Sequence, residues 1–124
     1  MIHLLDTNSC IYIFTGAYPS LIDRLADQPA GSVFISSITY AELAYGTVGG
    51  KPPSPDALAT FVEEIAVLPF DEAAARAYAA IPFRWGSFDR LIAAQALALG
   101  ASLVSRNLSD FTDIAGLKVE DWTR

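Results

Sequence analysis

Asp6, Glu42 and Asp89 are the residues of this sequence best suited to do chemistry, with Asn107 and Asp110 following them. Asp6 closes the apolar run Ile2-His3-Leu4-Leu5, and Glu42 lies just beyond Ser32-Val33-Phe34-Ile35-Ser36. Asp89 opens the segment leading into Ala101-Ser102-Leu103-Val104-Ser105, and Asn107 and Asp110 come directly after it. If these runs are parallel strands wound in the right-handed sense, the carboxylates converge on one edge of one sheet. Several acids gathered there without a cation would repel one another and raise each other's pKa. An all-oxygen donor set of this kind suits Mg²⁺, or Mn²⁺. Helix N-termini at the same edge add positive potential that offsets part of the repulsion. The pattern therefore predicts a metal site.

Taken singly, each acid also has a structural explanation. Asp6 can cap the helix that follows it, and Thr39-x-x-Glu42 has the spacing of a capping box. Asp89 suits the first turn of a helix, and Asn107 or Asp110 can cap or turn the chain after its strand. Arg84, Arg90 and Arg106 lie near the acidic edge in the chain order, where a guanidinium fork could hold phosphate or simply pair with the acids. Lone His3, inside an apolar strand, reads as a packed or hydrogen-bonded residue, because nothing in sequence pairs it with a nucleophile.

The elements that must position these residues alternate. A first strand buried on both faces is implied by an apolar run with no charge before Asp6. A helix follows over Ser9–Phe14 and ends at Gly16, and Pro19-Ser20 opens another. Ser32–Ser36 is a second strand, then a helix runs from about Ile38 to Tyr45 with Gly46 as its stop. The Pro/Gly-dense stretch Val48–Pro55 is a loop, and Ala57–Ile65 has helical spacing. Ala66–Phe70 is a brief strand, placed at an edge because Pro69 removes a ladder donor. Asp71 caps an alanine-rich helix that Pro82 ends, and a very apolar helix, Leu91–Leu99, stops at Gly100. Ala101–Ser105 and Leu117–Val119 complete the strands. The predicted class is α/β, a doubly wound three-layer sandwich around a central parallel sheet of four to five strands.

A chain of 124 residues with 52% hydrophobic content, no repeats and no evident linker reads as one domain, 1–124, large enough for a real core. Its formal charge of −6 argues against loose binding to nucleic acid, which runs on basic charge, yet leaves room for a nuclease whose acids hold metal. The single cysteine, Cys10, cannot form an internal disulfide and sits among apolar neighbours, as a small core residue would. Asp6 interrupts the initial apolar stretch, and Leu91–Leu99 is far short of the ~20 residues a membrane span needs. No membrane association and a cytoplasmic location are expected.

Four segments in order carry a resemblance: Leu5-Asp6-Thr7-Asn8, Ile35–Leu43, Phe88–Ala94 and Leu103–Phe111, with Gly116-Leu117 and Glu120-Asp121-Trp122 closing the chain. Across nearly its whole length the sequence resembles the PIN-domain ribonucleases, in particular the VapC toxins of bacterial toxin–antitoxin pairs. That resemblance implies a Mg²⁺-dependent endoribonuclease in which Asp6, Glu42 and Asp89 are the catalytic and metal-binding acids. Asp6 and Asp89 would bind the metal directly or through water, and Glu42 would bind or orient the attacking water. Asn107, an amide, stands at the family's fourth acidic position, so Asp110 either serves in its place or acts through water. Asn8, Ser105 and Asn107 would support the acids, and Arg90 and Arg106 would contact phosphate.

The resemblance further implies a homodimer and a VapB-like antitoxin. A basic antitoxin residue entering among Asp6, Glu42 and Asp89 would imitate the metal's charge, while an antitoxin helix covers an apolar surface around Ile11, Ile13 and Phe14. The RNA substrate expected from the branch it looks most like is a tRNA, cut in the anticodon loop. Relatives carry a longer helical arm and a Gly-rich turn where this chain has only Ile81–Ser87; Trp85 is expected to fill the space, or else to stack on a base. Rival acidic pockets fit less well: a phosphoacceptor receiver needs a late lysine that neither Lys51 nor Lys118 supplies. The Asp-x-Asp phosphatases need an acid where Asn8 stands. An inactive α/β module binding RNA or protein, with structural acids, is the alternative reading.

Overall fold

The computed structural model describes residues 1–85 and 87–124; Gly86, part of the short segment before Asp89, lies outside the described residues. β1 (His3–Leu5) is the middle strand of a five-stranded, all-parallel sheet. The strand order is β3 (Ala66–Leu68), β2 (Val33–Ser36), β1, β4 (Ser102–Val104) and β5 (Val119–Glu120). Leu5 stands in register with Ile35 on one side and Val104 on the other.

Side chains alternate across the pleat, and that alternation builds two cores. Leu5, Val33, Ile35 and Val104 turn to one face, where they meet Cys10, Leu21, Leu43 and Leu58. These come from α1 (Thr7–Thr15), α2 (Pro19–Ala26), α3 (Ser37–Val48) and α4 (Pro55–Glu64). Leu4 and Leu103 turn to the other face, against Ile92, Ala93 and Ala96 of α6 (Asp89–Leu99), which in turn packs on α5 (Glu72–Ala80). A sheet covered on both sides favours strands that are apolar at most positions, and its polar exceptions here, His3 of β1 and Ser102 of β4, hydrogen-bond each other. The predicted three-layer α/β sandwich is the architecture found.

The winding positions the site. From β1 the chain moves outward through β2 to β3 at the edge, then crosses back through α5 and α6 to enter β4 on the opposite side of β1. The strand order therefore reverses between β1 and β4, and ligands of open α/β sheets bind outside the carboxyl ends of the strands at such a reversal. Asp6 is the first residue beyond β1, and Ser105 the first beyond β4.

Several local expectations are met for the reasons given. Asp71 Oδ1 accepts from Ala74 N at 3.0 Å to cap α5, and Gly100 ends α6 with φ of 66°. Cys10 is fully buried, and His3 is a packed residue: Nδ1 hydrogen-bonds Ser102 Oγ and lies 3.2 Å from Glu120, with the ring edge-on to Trp122. Other boundaries shift. α3 runs straight through Gly46 and ends at Gly49, since a glycine inside a helix costs only about 1 kcal/mol and packing offsets it. The last strand is Val119–Glu120, later than expected, and a 3-10 turn occupies Leu108–Phe111. Among the described residues no helix is long and apolar enough to cross a membrane.

Because Leu103 is fully buried in the inner strand beside β1, Leu103→Ala should cost about 2–5 kcal/mol. In urea titrations the unfolding midpoint should fall while the slope stays unchanged.

Candidate active site

Asp6 takes both of the roles open to it. As N-cap of α1 it accepts a hydrogen bond from Ser9 N to Oδ1 at 2.8 Å, and it is almost fully buried at the reversal of strand order. Ser9 Oγ donates to Val104 O at 3.2 Å, which ties the capped turn to β4. Burial pushes the Asp6 carboxyl above its ordinary range, and hydrogen bonds from Ser9 and Ser105 oppose that shift. Ser105 is itself buried and also accepts from Asn107 N at 3.1 Å, so the turn after β4 is pinned to the same spot.

Glu42 is not part of a capping box. The N-cap of α3 is Ser36, whose Oγ accepts from Ile38 N at 3.0 Å, so Thr39 and Glu42 both lie inside the helix. Glu42 instead accepts at Oε1 from Thr7 Oγ1 at 2.6 Å, and Thr7 Oγ1 also lies 3.3 Å from Thr39 Oγ1. Thr7 thus aims the glutamate from the first turn of α1. Nothing local in the sequence marks this contact.

Asp89 opens α6 with its own N–H bonded to Ser87 Oγ at 3.0 Å. Its carboxyl is pushed up to about 6, first by burial, then by the charges of Asp6 and Glu42, with Asp110 adding to the shift and Ser87 opposing it. Asp89 therefore feels the charges of three acids from three other segments at this edge, the convergence that the spacing predicts. Among the described residues no three such side chains stand close enough to form a ready-made cation shell. The donor set still fits Mg²⁺, which keeps several waters and takes only one or two carboxylates directly.

A cleft of about 370 Å³ opens at this edge, lined by Thr7, Asn8, Glu42 and Asp89 together with Tyr45, Lys51, Ser87 and Phe88. Asp6, almost fully buried, is not part of its lining. Asn8 is exposed and lines it, whereas Ser105, Asn107 and Asp110 do not. Lys51 is the cation that faces the acids, carried there by the Pro/Gly-dense loop, with its N–H donating to Gly46 O at 2.9 Å. Sequence order gave no sign of this, since a loop lysine has no register.

Of the two readings open to the arginines, Arg90 takes the pairing one: it is 3% exposed and is not among the residues lining the cleft. Its guanidinium grips Asp113 in a bidentate pair at 2.9 and 3.0 Å and donates to Asp110 O and Pro82 O. Hydrogen bonds from Arg90 hold the Asp113 carboxyl below its ordinary range. Arg106 is exposed but lies over the Tyr18 ring, 5.4 Å from its centroid, away from the cleft lining. Arg84 pairs with Asp113 at 3.4 Å.

Ile11, Ile13 and Phe14 are half-buried against the first core, Phe14 packing on Phe61. Trp85 fills no gap, being 89% exposed, and meets Phe83 edge-to-face at 5.3 Å.

Comparison with known proteins returns a consistent answer. The PIN domain model matches residues 3–117. A Shigella flexneri protein named tRNA(fMet)-specific endonuclease VapC is 36% identical over 129 aligned residues, covering 97% of each chain. The structure of VapBC2 from Rickettsia felis bound to a DNA fragment from their promoter superposes with a TM-score of 0.83 at 30% identity, covering 98% of this chain and 99% of that one. VapBC-1 from nontypeable Haemophilus influenzae superposes with a TM-score of 0.82 at 29% identity over the full length of both chains.

The raised Asp89 carboxyl yields a prediction with a definite sign. A native pKa above the unfolded value means the folded state binds the proton more tightly, so without metal stability falls as pH rises through about 6. Asp89→Asn removes that penalty. In metal-free buffer the variant should melt higher than the parent at pH 7.5, with the difference shrinking towards pH 5; no difference at pH 7.5 would mean that neither burial nor the neighbouring acids penalise the Asp89 charge.

Proposed function

This chain belongs to the PIN-domain family, alongside the VapC proteins, and on that footing we propose that it is a metal-dependent endoribonuclease acting as the toxin of a toxin–antitoxin pair. The observation that carries the proposal is the gathering of acids at the strand reversal, where Glu42 and Asp89 line one cleft and Asp6 is buried at the carboxyl end of β1. A fold gains nothing in stability from crowding acids, so their gathering at a ligand-binding edge points to a cation and to chemistry. The proposal takes the whole of 1–124 as one PIN domain working in the cytoplasm, and extends to Mg²⁺, or Mn²⁺, as the ion.

Asp6 and Asp89 are the residues that would hold the metal, directly or through water, with Asp110 adding negative potential from behind. The bound cation would lower the pKa of water and stabilise negative charge developing on the scissile phosphate. Glu42, with one oxygen held by Thr7, presents the other to orient the attacking water. Lys51 stands where it can contact the phosphate, the task expected of Arg90. Ser105 and Ser9 fix the Asp6 carboxylate, and Asn8 lines the mouth. Water attacking in line with the 3′-oxygen breaks the P–O3′ bond, leaving a 5′-phosphate and a 3′-hydroxyl that takes up the proton.

The substrate reading is a tRNA, supported by the name of the Shigella flexneri relative, and the proposal places the cut in its single-stranded anticodon loop. The partner reading is a VapB-like antitoxin bound to a dimer of this chain, supported by the VapBC neighbours.

Asp6→Asn and Asp89→Asn should each abolish RNA cleavage in Mg²⁺ while the chain stays folded by circular dichroism. Glu42→Gln should lower the rate by orders of magnitude. Cleavage by all three at the parent rate would leave the acids structural and the chain an inactive binding module. Sequencing the ends of the RNA fragments tests the polarity of the cut and the choice of tRNA.

A further inference from the structure

RNA is a polyanion, and this chain approaches it with a formal charge of −6. Most of its cations are already engaged: Arg24, Arg76, Arg84, Arg90 and Arg124 each pair with a carboxylate. Arg106 lies on Tyr18, and Lys118 beside Met1. Among the described residues only Lys51 lines the acidic cleft as a cation. Counter-ion release, the usual source of nucleic-acid affinity, is therefore weak here.

What the cleft offers in place of charge is aromatic surface. Tyr45 is 85% exposed and Phe88 58% exposed, and both line the acidic cleft. Both also wall a second, mostly apolar cavity of about 540 Å³, together with Ser37, Ile38, Ala41 and Glu42. The two cavities thus share Glu42, Tyr45 and Phe88. The exposed pair Phe83 and Trp85 precedes Phe88 in the same short segment.

We propose that Tyr45 and Phe88 form a nucleobase subsite, in which the base next to the scissile phosphate leaves the acidic cleft and stacks in the adjoining apolar cavity. The inference rests on the ribonuclease reading above and says how such an acidic enzyme holds its substrate. A phosphate placed at the carboxylates has its own nucleoside beside Glu42, the residue common to both cavities. The occupant must be flat, apolar on its faces and joined to a phosphodiester, which describes a base of single-stranded RNA. Stacking is indifferent to the sign of the protein's charge, and every base has a face to offer. The polar groups on the wall, Ser37 and Glu42, are few, so the subsite favours an unstacked base over a paired one more than it distinguishes one base from another.

The test uses the full chain and a short single-stranded RNA, with cleavage followed in Mg²⁺ and binding measured in the Asp6→Asn background. Phe88→Ala and Tyr45→Ala should each weaken binding about 5- to 100-fold, the range that stacking one base supplies. Phe88→Trp should restore it. Replacing the nucleotide beside the cut with an abasic one should cost the parent the same factor and cost Phe88→Ala nothing more. Binding should also depend weakly on salt, with a log–log slope near the roughly −0.7 of a single phosphate contact. Equal binding and cleavage of intact and abasic RNA by Phe88→Ala and its parent overturns the subsite. So does a result in which the alanine variants leave RNA binding intact but break a dimer or an antitoxin complex, which would assign this face to a protein. A parent chain that neither binds nor cuts the intact RNA sinks the ribonuclease reading itself, so the two failures are told apart by that control.

Discussion

Asp6, Glu42 and Asp89 share an edge at which burial and the charges of the first two make Asp89 harder to ionise, and Asp110 adds to the effect. Left to their own electrostatics these side chains would move apart. They stay because the segments that carry them are fixed by something stronger, the two apolar cores that meet back to back on β1. Leu4 belongs to one core and Leu5 to the other, and Asp6 is the next residue. Burial on both sides of a three-residue strand leaves its following acid little freedom. The same logic places Ser105 after β4 and Ser36, the N-cap of α3, at the end of β2.

The hydrogen bonds at the site have a related purpose. Asp6 spends one oxygen on the cap of α1, and Glu42 one oxygen on Thr7. A carboxylate with one oxygen tied has a defined direction for the other. The tie to Asp6 also favours its ionised form, working against the burial that raises its pKa. Structural and functional readings of these acids are thus not exclusive. The cap is the means by which Asp6 is aimed.

Strand β1, the Gly100 stop, the Asp71 cap and the convergence of the acids were legible in the sequence because each depends on local pattern or on the handedness of the winding. The mistaken readings share a different character. Thr39-x-x-Glu42 matched a capping box by spacing alone, but the helix had already begun at Ser37 under the Ser36 cap. Thr7 and Glu42 meet across 35 positions, Lys51 reaches the cleft on a loop, and Trp85 stays in solvent. None of these follows from periodicity, because each is decided by how separate elements dock. Gly46 shows the limit from the other side: propensity marked a stop, and packing overrode it.

Arg90 is the instructive case, because elementary helix geometry accounts for it. Successive residues of an α-helix point about 100° apart. With Asp89 turned to the cleft at the first position of α6, its neighbour must turn well away, and here that direction leads into the protein. A guanidinium entering there needs acceptors, and it finds Asp113 together with the carbonyls of Pro82 and Asp110. These groups come from the short segment before α6 and the turn after β4, the two stretches that flank the acidic edge. The positive charge is therefore used to hold the walls of the site together, and is unavailable to the substrate. An arginine adjacent in sequence to an active-site acid serves a phosphate only when the backbone turns both the same way, and a helix start does not.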